Sequence, residues 1–151
     1  MNLSNAYLTG ECIKNTIPTR LDDPKLLPVR ANPTDAGADL RSTEALVIYP
    51  GESALVDTGV AVKIPKGYVG LLEPRSSQRV RGITTNGTGV IDSDYRGNIK
   101  VYLQNTGGNE YAISKYDKIA QLLIVPVVLC DFVDSWNDTA RGTGGFGSTG
   151  V

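Results

Sequence analysis

Short apolar runs separated by glycine and proline constrain the fold of this chain more than any other feature. Residues 60–64 and 68–73 are two such runs, and the turn Pro65-Lys66-Gly67 lies between them. Runs of this length, bounded by turn residues, are typical of β-strands. The chain has 17 glycines and 8 prolines among its 151 residues, which fits frequent turns. The sequence therefore predicts one all-β domain, a sandwich or a jelly roll.

Two local patterns interrupt this series of strands. Ser76 or Ser77 is placed to cap a single short helix that stops near Gly82. Residues 89–92 and 98–103 are apolar runs on either side of a polar segment, and we expect them to form a hairpin with a wide tip.

The end of the chain changes character twice. Pro126 interrupts the apolar run of residues 119–129, which predicts a β-bulge or a switch between sheets. The composition divides the chain into an N-terminal extension (1–15), a β domain (16–140) and a flexible glycine-rich arm (141–151).

Charge and cysteine content exclude several classes of protein. The formal charge of −1 argues against nucleic-acid polymers and anionic membranes as partners. Lys118 and Gln121 interrupt the longest apolar stretch, and no secretory signal pattern is present, so we expect neither a membrane span nor export. Cys12 and Cys130 have neither metal-site nor disulfide-framework spacing. A cytoplasmic location is expected.

The absence of histidine is the strongest restriction on chemistry. It removes Ser-His-Asp and Cys-His catalysis and most zinc sites. A bound metal is then a hard cation held by oxygens, chiefly Mg²⁺. A general base is most simply a carboxylate.

Polar residues at turns supply the first candidate sites. Asp35 and Asp39 stand among small residues, where they hold a cation or simply form a turn. Arg75, Ser76 and Ser77 follow a strand and open the predicted helix. Hydroxyls, free N–H groups and a guanidinium suit an anion, although an ordinary helix cap with a surface arginine also fits.

A second group of candidates lies around the expected hairpin. Asp92 closes an apolar stretch, where desolvation would tune a carboxylate to act as a base. Tyr95 suits the face of a sugar, and the donor and acceptor of Asn86 suit the edge of a pyrimidine. Turn acids and a core tyrosine are the structural alternative. Gln121 is an amide within a buried strand, which needs backbone partners or a site to face.

The glycine-rich arm combines mobility with recognition chemistry. Arg141, Ser148 and Thr149 suit phosphate, and Phe146 suits a flat base. Glycine permits such an arm to order only when its ligand is bound. A nucleotide-closing arm fits this spacing better than a disordered tail.

One short motif points to a different class of protein. Asp57-Thr58-Gly59 looks like the catalytic loop of a retroviral-type aspartic protease. The match is three residues long and no supporting segment follows it, so an ordinary turn is the better explanation.

Five segments, in this order, resemble the five motifs of the trimeric dUTPase family: 36–42, 74–77, 89–97, 118–122 and 141–150. The resemblance implies a jelly-roll-like distorted β-barrel of the β-clip, dUTPase-like type. It implies hydrolysis of dUTP to dUMP and pyrophosphate, which limits uracil incorporation into DNA and supplies dUMP for dTMP synthesis. It also implies a homotrimer in which each active site draws motifs from three subunits.

The resemblance assigns a role to each candidate residue. Asp92 matches the general base that activates a water for in-line attack on the α-phosphorus, and Asp39 matches the acid that holds Mg²⁺ through water. The residues that match contacts to the base and sugar are Asn86, Val90, Ile91, Tyr95, Lys100 and Phe146. The residues that match contacts to the phosphates are Arg75, Ser76, Ser77, Gln121, Arg141, Gly145, Ser148 and Thr149.

Four positions depart from the common pattern of that family. Ser77 stands where glycine is usual, Lys118 where arginine is frequent, and Asp35 where a small residue is frequent. Gln78 stands where leucine is usual, and we expect it to alter packing beneath the phosphate site.

Two rival functions share the resemblance. A dCTP deaminase has a similar fold, but its reaction needs a glutamate where this chain has Tyr102. A regulatory protein would use dUTP as a switch signal, because an arm that orders around a nucleotide can create a surface for a protein partner.

Overall fold

The computed structural model describes residues 16–85, 89–140 and 142–143. In this part of the chain it has eleven short strands, one short helix and one 3₁₀ turn, Pro24–Leu26. The helix, α1, spans Ser76–Val80. The strands are β1 Thr19–Leu21, β2 Ala38–Arg41, β3 Leu46–Ile48, β4 Ser53–Asp57, β5 Val60–Val62, β6 Tyr68–Glu73, β7 Ile83–Thr85, β8 Gly89–Ile91, β9 Lys100–Asn105, β10 Tyr111–Ile113 and β11 Lys118–Pro126. The predicted all-β class with a single short helix is confirmed.

All strand pairs among the described residues are antiparallel, and they form four sheets of four, three, two and two strands. The larger sheets have the strand orders β2-β11-β6-β8 and β4-β9-β7. The remaining strands form the pairs β1-β5 and β3-β10. Most neighbours in a sheet are distant in sequence, so the chain crosses repeatedly between sheets, as a jelly roll requires.

Two clusters of buried side chains stabilise these sheets. One contains Leu40, Leu72 and Leu122, and the other contains Ile119 and Ala120 of the same last strand. Because β11 contributes to both clusters and pairs with both β2 and β6, it is the element that joins the halves of the core.

The course of β11 corrects one expectation. The register shift lies between Lys118 and Ala120, at the start of the strand. Pro126 pairs with Tyr68 at the very end of the strand, so it ends the ladder and does not cause a bulge within it. A proline N lacks the donor that a further rung would need.

The expected hairpin between residues 89–92 and 98–103 is wrong. Among the described residues, β8 pairs with β6, whereas β9 pairs with β4 and β7. The segment between β8 and β9 therefore carries the chain from the four-stranded sheet to the three-stranded one. An apolar alternation defines a strand but does not select its partner.

The cap of α1 also differs from the prediction. Arg75 is the N-cap residue, and Ser76 is the first residue of the helix. The side chain that satisfies the helix end is that of Gln78, whose Oε1 accepts a hydrogen bond from the Arg75 N–H at 3.1 Å.

A turn at Tyr116 ties the end of β2 to the start of β11. Arg41 Nη1 donates to the Tyr116 carbonyl at 2.8 Å, and Tyr116 itself has a positive φ of 72°. Its hydroxyl donates to Asp23 Oδ2 at 2.6 Å. This bond, with a second one from the Lys25 N–H, holds the pKa of Asp23 below its ordinary value of 3.8.

No helix of the described chain is long and apolar enough to cross a bilayer.

Candidate functional site

Asp39 lies between two cations at the edge of the four-stranded sheet. Its Oδ1 is 2.9 Å from Arg75 Nε, and its Oδ2 is 2.7 Å from Lys118 Nζ. The Asp39 side chain is 12% exposed, whereas the two cations are 33% and 29% exposed. Arg75 lines an adjoining cleft and Lys118 does not, so the Arg75 guanidinium is the cation that this cleft, here called the cationic cleft, offers to an anion. The sequence did not reveal the role of Lys118.

Gln121 lies beside this ion pair because strand register places it there. It is opposite Asp39 of β2 on one side and Glu73 of β6 on the other. Its Nε2 donates to the Pro74 carbonyl at 3.3 Å. A side chain at Gly37 would overlap Gln121 Oε1, so the missing Cβ leaves room for the amide.

The resulting cleft has a volume of about 390 Å³. It brings together residues of the first, second and fourth sequence motifs. Its lining residues are Ala31, Asp35, Ala36, Gly37, Asp39, Arg75, Ser76, Gln121 and Leu123. Ser77 is exposed on the next position of α1 but does not line the cleft.

Gln78, which we expected to alter packing beneath the phosphate site, is buried and caps the start of α1. The residue is 3% exposed. Besides accepting from the Arg75 N–H, its amide donates to the Tyr111 hydroxyl at 3.3 Å. Gln78 is the third residue of α1, and glutamine at that position is half of a capping box, so the signal was present in the sequence.

Asp92 lies in a different cleft. This cleft has a volume of about 910 Å³, and its walls include Tyr68, Val90 and Val127. Asp92 is exposed, so its own chain does not supply the desolvation that the sequence suggested. The two clefts share no lining residue.

The structure describes four other residues expected near the base and sugar, and of these Val90 lines the Asp92 cleft, whereas Ile91, Tyr95 and Lys100 do not. Val90 is 61% exposed on β8, and Ile91 follows it, half-buried. Lys100 is exposed at the start of β9. Tyr95 is 44% exposed, and its hydroxyl donates to the Asn98 carbonyl at 3.0 Å.

Strand register separates the two clefts within one chain. Asp39 is on β2 and Asp92 follows β8, which are the opposite edges of the four-stranded sheet. Three strand spacings place those edges about 14 Å apart, and four residues along β6 add a further axial offset of about 13 Å. A single chain therefore presents the Asp39 group and Asp92 at distant corners of one sheet.

Several candidate residues lie outside the described part of the chain. They are Asn86, Arg141, Gly145, Phe146, Ser148 and Thr149. The proposed extension, residues 1–15, lies outside it too.

The described residues do not form a metal site by direct ligation. No group of three or more acidic or cysteine side chains in residues 16–85, 89–140 and 142–143 is arranged to hold an ion. The position of Asp39 fits contact with a metal ion through a water molecule better than direct ligation. A carboxylate has about four acceptor positions, so its two ion pairs leave room for water.

Two rival assignments do not fit the structure. Asp57 Oδ1 accepts a hydrogen bond from the Gly59 N–H at 2.7 Å, so the protease-like triplet is a turn. Tyr102, at the position of the deaminase glutamate, donates its hydroxyl to Ser53 Oγ at 2.7 Å and supplies no carboxylate.

The fold and clefts define a class: a jelly-roll-like all-β domain with a cationic cleft at one sheet edge and an exposed aspartate beyond the other. Residues 23–150 match the model of the dUTPase family. The chain belongs to the dUTPase family.

Individual relatives agree. The deoxyuridine 5'-triphosphate nucleotidohydrolase of Corynebacterium diphtheriae is 47% identical over 137 residues, which cover 87% of this chain and 90% of that protein. The enzyme of the same name from Thermobifida fusca is 48% identical over 136 residues, covering 87% of this chain and 76% of that protein.

Solved structures agree in fold. A dUTPase mutant of Staphylococcus bacteriophage 80alpha with dUpNHpp has a TM-score of 0.80 and 34% identity, covering 91% of this chain and 99% of that chain. A dUTPase mutant from phage phi11 of S. aureus, with a structural Mg(II) ion, has a TM-score of 0.74 and 32% identity, covering 82% of this chain and 100% of that chain. The Staphylococcus bacteriophage 80alpha enzyme is one of the phage dUTPases that control transfer of virulence genes by a proto-oncogenic G protein-like mechanism.

Gly37→Ala tests the packing in the cationic cleft. The added methyl group would collide with the Gln121 amide and displace it, while the buried core stays intact. We expect a shift of the Gln121 side-chain amide resonances in an NMR spectrum and little change in melting temperature. Gly108→Ala is the matched control, since nothing lies within contact distance of a Cβ there. Unchanged Gln121 resonances would show that the Gln121 amide does not lie against Gly37.

Proposed function

We propose that this protein hydrolyses dUTP to dUMP and pyrophosphate. The observation that carries the proposal is the match to the dUTPase family over residues 23–150, together with the Arg75–Asp39–Lys118 group in the cationic cleft. The role that follows is to limit uracil incorporation into DNA and to supply dUMP for dTMP synthesis.

In the proposed reaction Asp92 is the general base. Its carboxylate accepts a proton from a water molecule, whose oxygen attacks the α-phosphorus in line with the bond to the β-phosphate oxygen. That bond breaks, pyrophosphate leaves, and the new bond completes dUMP. The exposure of Asp92 at a cleft supports this role, because both water and substrate can reach the carboxylate.

The cationic cleft is proposed to bind the phosphates. The Arg75 guanidinium donates its Nε–H to Asp39, and its other N–H groups can donate to a phosphate. Ser76 and Gln121 line the same cleft and add a hydroxyl and an amide. Ser77 is proposed to contribute its backbone, and Arg141, Gly145, Ser148 and Thr149 are proposed to add contacts from the arm.

Base and sugar are proposed to lie on the Asp92 side. The main chain of Val90, Ile91 and Lys100, with the Asn86 amide, would read uracil through paired donors and acceptors. A site of this kind rejects other bases because their polar groups stay unpaired. The exposed ring of Tyr95 would lie under the deoxyribose, and Phe146 would cover the base.

Mg²⁺ is proposed as the cofactor, with Asp39 holding it through water. The ion would neutralise charge on the phosphates. The remaining acceptor capacity of Asp39 supports this assignment. The structural Mg(II) ion of the phage phi11 dUTPase mutant is consistent with it.

A homotrimer with shared active sites is proposed because one chain leaves its clefts far apart and an apolar segment uncovered. Residues 127–136, here called the strap, follow β11. Val128 is 83% exposed, Phe132 is 102% exposed and Trp136 is 88% exposed. Large apolar side chains in an exposed row mark an interface. The occupant that we propose is a second copy of this chain, onto which the strap would dock.

The remaining assignments rest on the sequence alone. The division into 1–15, 16–140 and 141–151, the cytoplasmic location and the absence of nucleic-acid and membrane partners remain proposals.

A regulatory protein partner is the second candidate function, and the mechanism of the related phage dUTPases favours it. A partner captured equally with and without dUpNHpp would argue against a nucleotide switch.

The assay for the proposed function is pyrophosphate release from dUTP, dTTP, dCTP and UTP, with Mg²⁺ and with a chelator. We expect release from dUTP alone, and much less with chelator. Asp92→Asn should keep dUTP binding and lose turnover by about 10²- to 10⁴-fold, the usual contribution of a general base. Asp94→Asn is the control for the same change in charge. Comparable rates on all four nucleotides, or full turnover by Asp92→Asn, would contradict the proposal.

Trp136 reports on the strap because it is the sole tryptophan of the chain. If a second copy covers the strap, the emission maximum should lie to the blue of that of the unfolded chain. Sedimentation should give the mass of a trimer. Phe132→Asp should shift both measurements toward those of a monomer, because a buried charge without a partner is costly. A monomer with fully solvated Trp136 emission would exclude the shared-site trimer.

A further inference from the structure

The ring of Tyr95 is held by the backbone of Asn98. Its hydroxyl donates to the Asn98 carbonyl at 3.0 Å. A side chain at Gly97 would overlap that hydroxyl, so the glycine permits the ring to fold back over the main chain. The position of Asn98 therefore determines where the tyrosine ring lies.

Asn98 is in turn held by a segment far from it in sequence. Its Nδ2 donates to Asp22 Oδ2 at 2.8 Å, and its Oδ1 accepts from Arg20 Nη2 at 3.5 Å. The same Arg20 nitrogen reaches the Arg96 carbonyl at 3.4 Å. Asp22 is anchored by its N–H, which donates to the Gly59 carbonyl at 2.9 Å.

This arrangement permits only one orientation of the Asn98 amide. Reversing the amide would set its oxygen against the Asp22 carboxylate and its NH₂ group against the Arg20 guanidinium. The amide plane is therefore fixed at both ends, by an acceptor and by a donor. We call Arg20, Asp22 and the Asn98 amide the clamp. Because Arg20 lies on β1, which pairs with β5, the clamp is built on a sheet and does not belong to a free loop.

We propose that Asp22 and Asn98 are positioning residues for the discrimination between deoxyribose and ribose nucleotides. They act through Tyr95. The clamp supports the Asn98 carbonyl, whose peptide plane is also held by the Ile99 N–H that donates to the Val60 carbonyl at 2.7 Å. This carbonyl orients the ring, and the ring leaves no room for a 2′-hydroxyl. This inference rests on the proposed function of the site. A displacement of about 1 Å in such a ring is enough to weaken selectivity.

The test is the ratio of kcat/KM for dUTP to kcat/KM for UTP. Asp22→Ala should lower this ratio about three- to tenfold, the effect of one lost hydrogen bond. Asp22→Asn keeps an acceptor oxygen and should restore the ratio. Asp22→Ala combined with Tyr95→Phe should lower it no further than Tyr95→Phe alone, since both act on one contact. Glu44→Ala is the control, because its exposed carboxylate makes no hydrogen bond or ion pair with residues that the structure describes.

A second measurement does not depend on activity. In protein labelled with 3-fluorotyrosine, the ¹⁹F signal of Tyr95 is assigned from its loss in Tyr95→Phe. We expect this signal to move or broaden in Asp22→Ala and in Asn98→Ala, and to stay in place in Asp22→Asn and Glu44→Ala. If Asp22→Ala does not fold, Asn98→Ala carries the same comparison.

The outcomes separate the two claims. Absence of pyrophosphate release from dUTP by the unmodified protein would remove the proposed function, and the ¹⁹F signal would then decide the clamp alone. A Tyr95 signal unchanged in both clamp variants would overturn the proposal. An unchanged ratio of kcat/KM, in protein that hydrolyses dUTP, would overturn it equally.

Discussion

The pairing of β11 with both β2 and β6 is the constraint on which the rest of the structure depends. It sets Gln121 opposite Asp39 on one side and opposite Glu73 on the other. Lys118, at the start of the same strand, reaches the second oxygen of Asp39. Three sequence motifs that are far apart along the chain thus converge at one sheet edge. A register slip of one residue would turn Gln121 to the opposite face of the sheet.

The same sheet explains why one chain looks incomplete. β8 lies at the far edge from β2, so Asp92 faces its own cleft and not the cationic one. The strap leaves the sheet directly after Pro126 with its large apolar side chains exposed. Both observations are explained if copies of the chain complete one another, which gives the charged cleft a base and gives the strap a surface.

The sequence predicted those features that neighbouring residues determine. β6 has the bounds expected from its flanking turns, because Pro65-Lys66-Gly67 and Pro74 bracket it. The partner of β8 was predicted wrongly, since an apolar pattern carries no information about which strand lies beside it. The ion pair between Asp39 and Lys118 and the clamp on Asn98 join distant segments, so no local signal announced them. The capping role of Gln78 was readable from its position in the helix.

The shared site is tested most directly by mixing two disabled chains. Arg75→Ala removes the guanidinium of the cationic cleft, and Asp92→Asn removes the proposed general base. Each variant alone should release little pyrophosphate from dUTP. The two variants are given different tags and are unfolded and refolded together. Mixed assemblies isolated through both tags should regain activity, because in the proposed trimer Arg75 of one chain would meet Asp92 of another. Isolated mixed assemblies that stay as inactive as their parents would contradict the shared site.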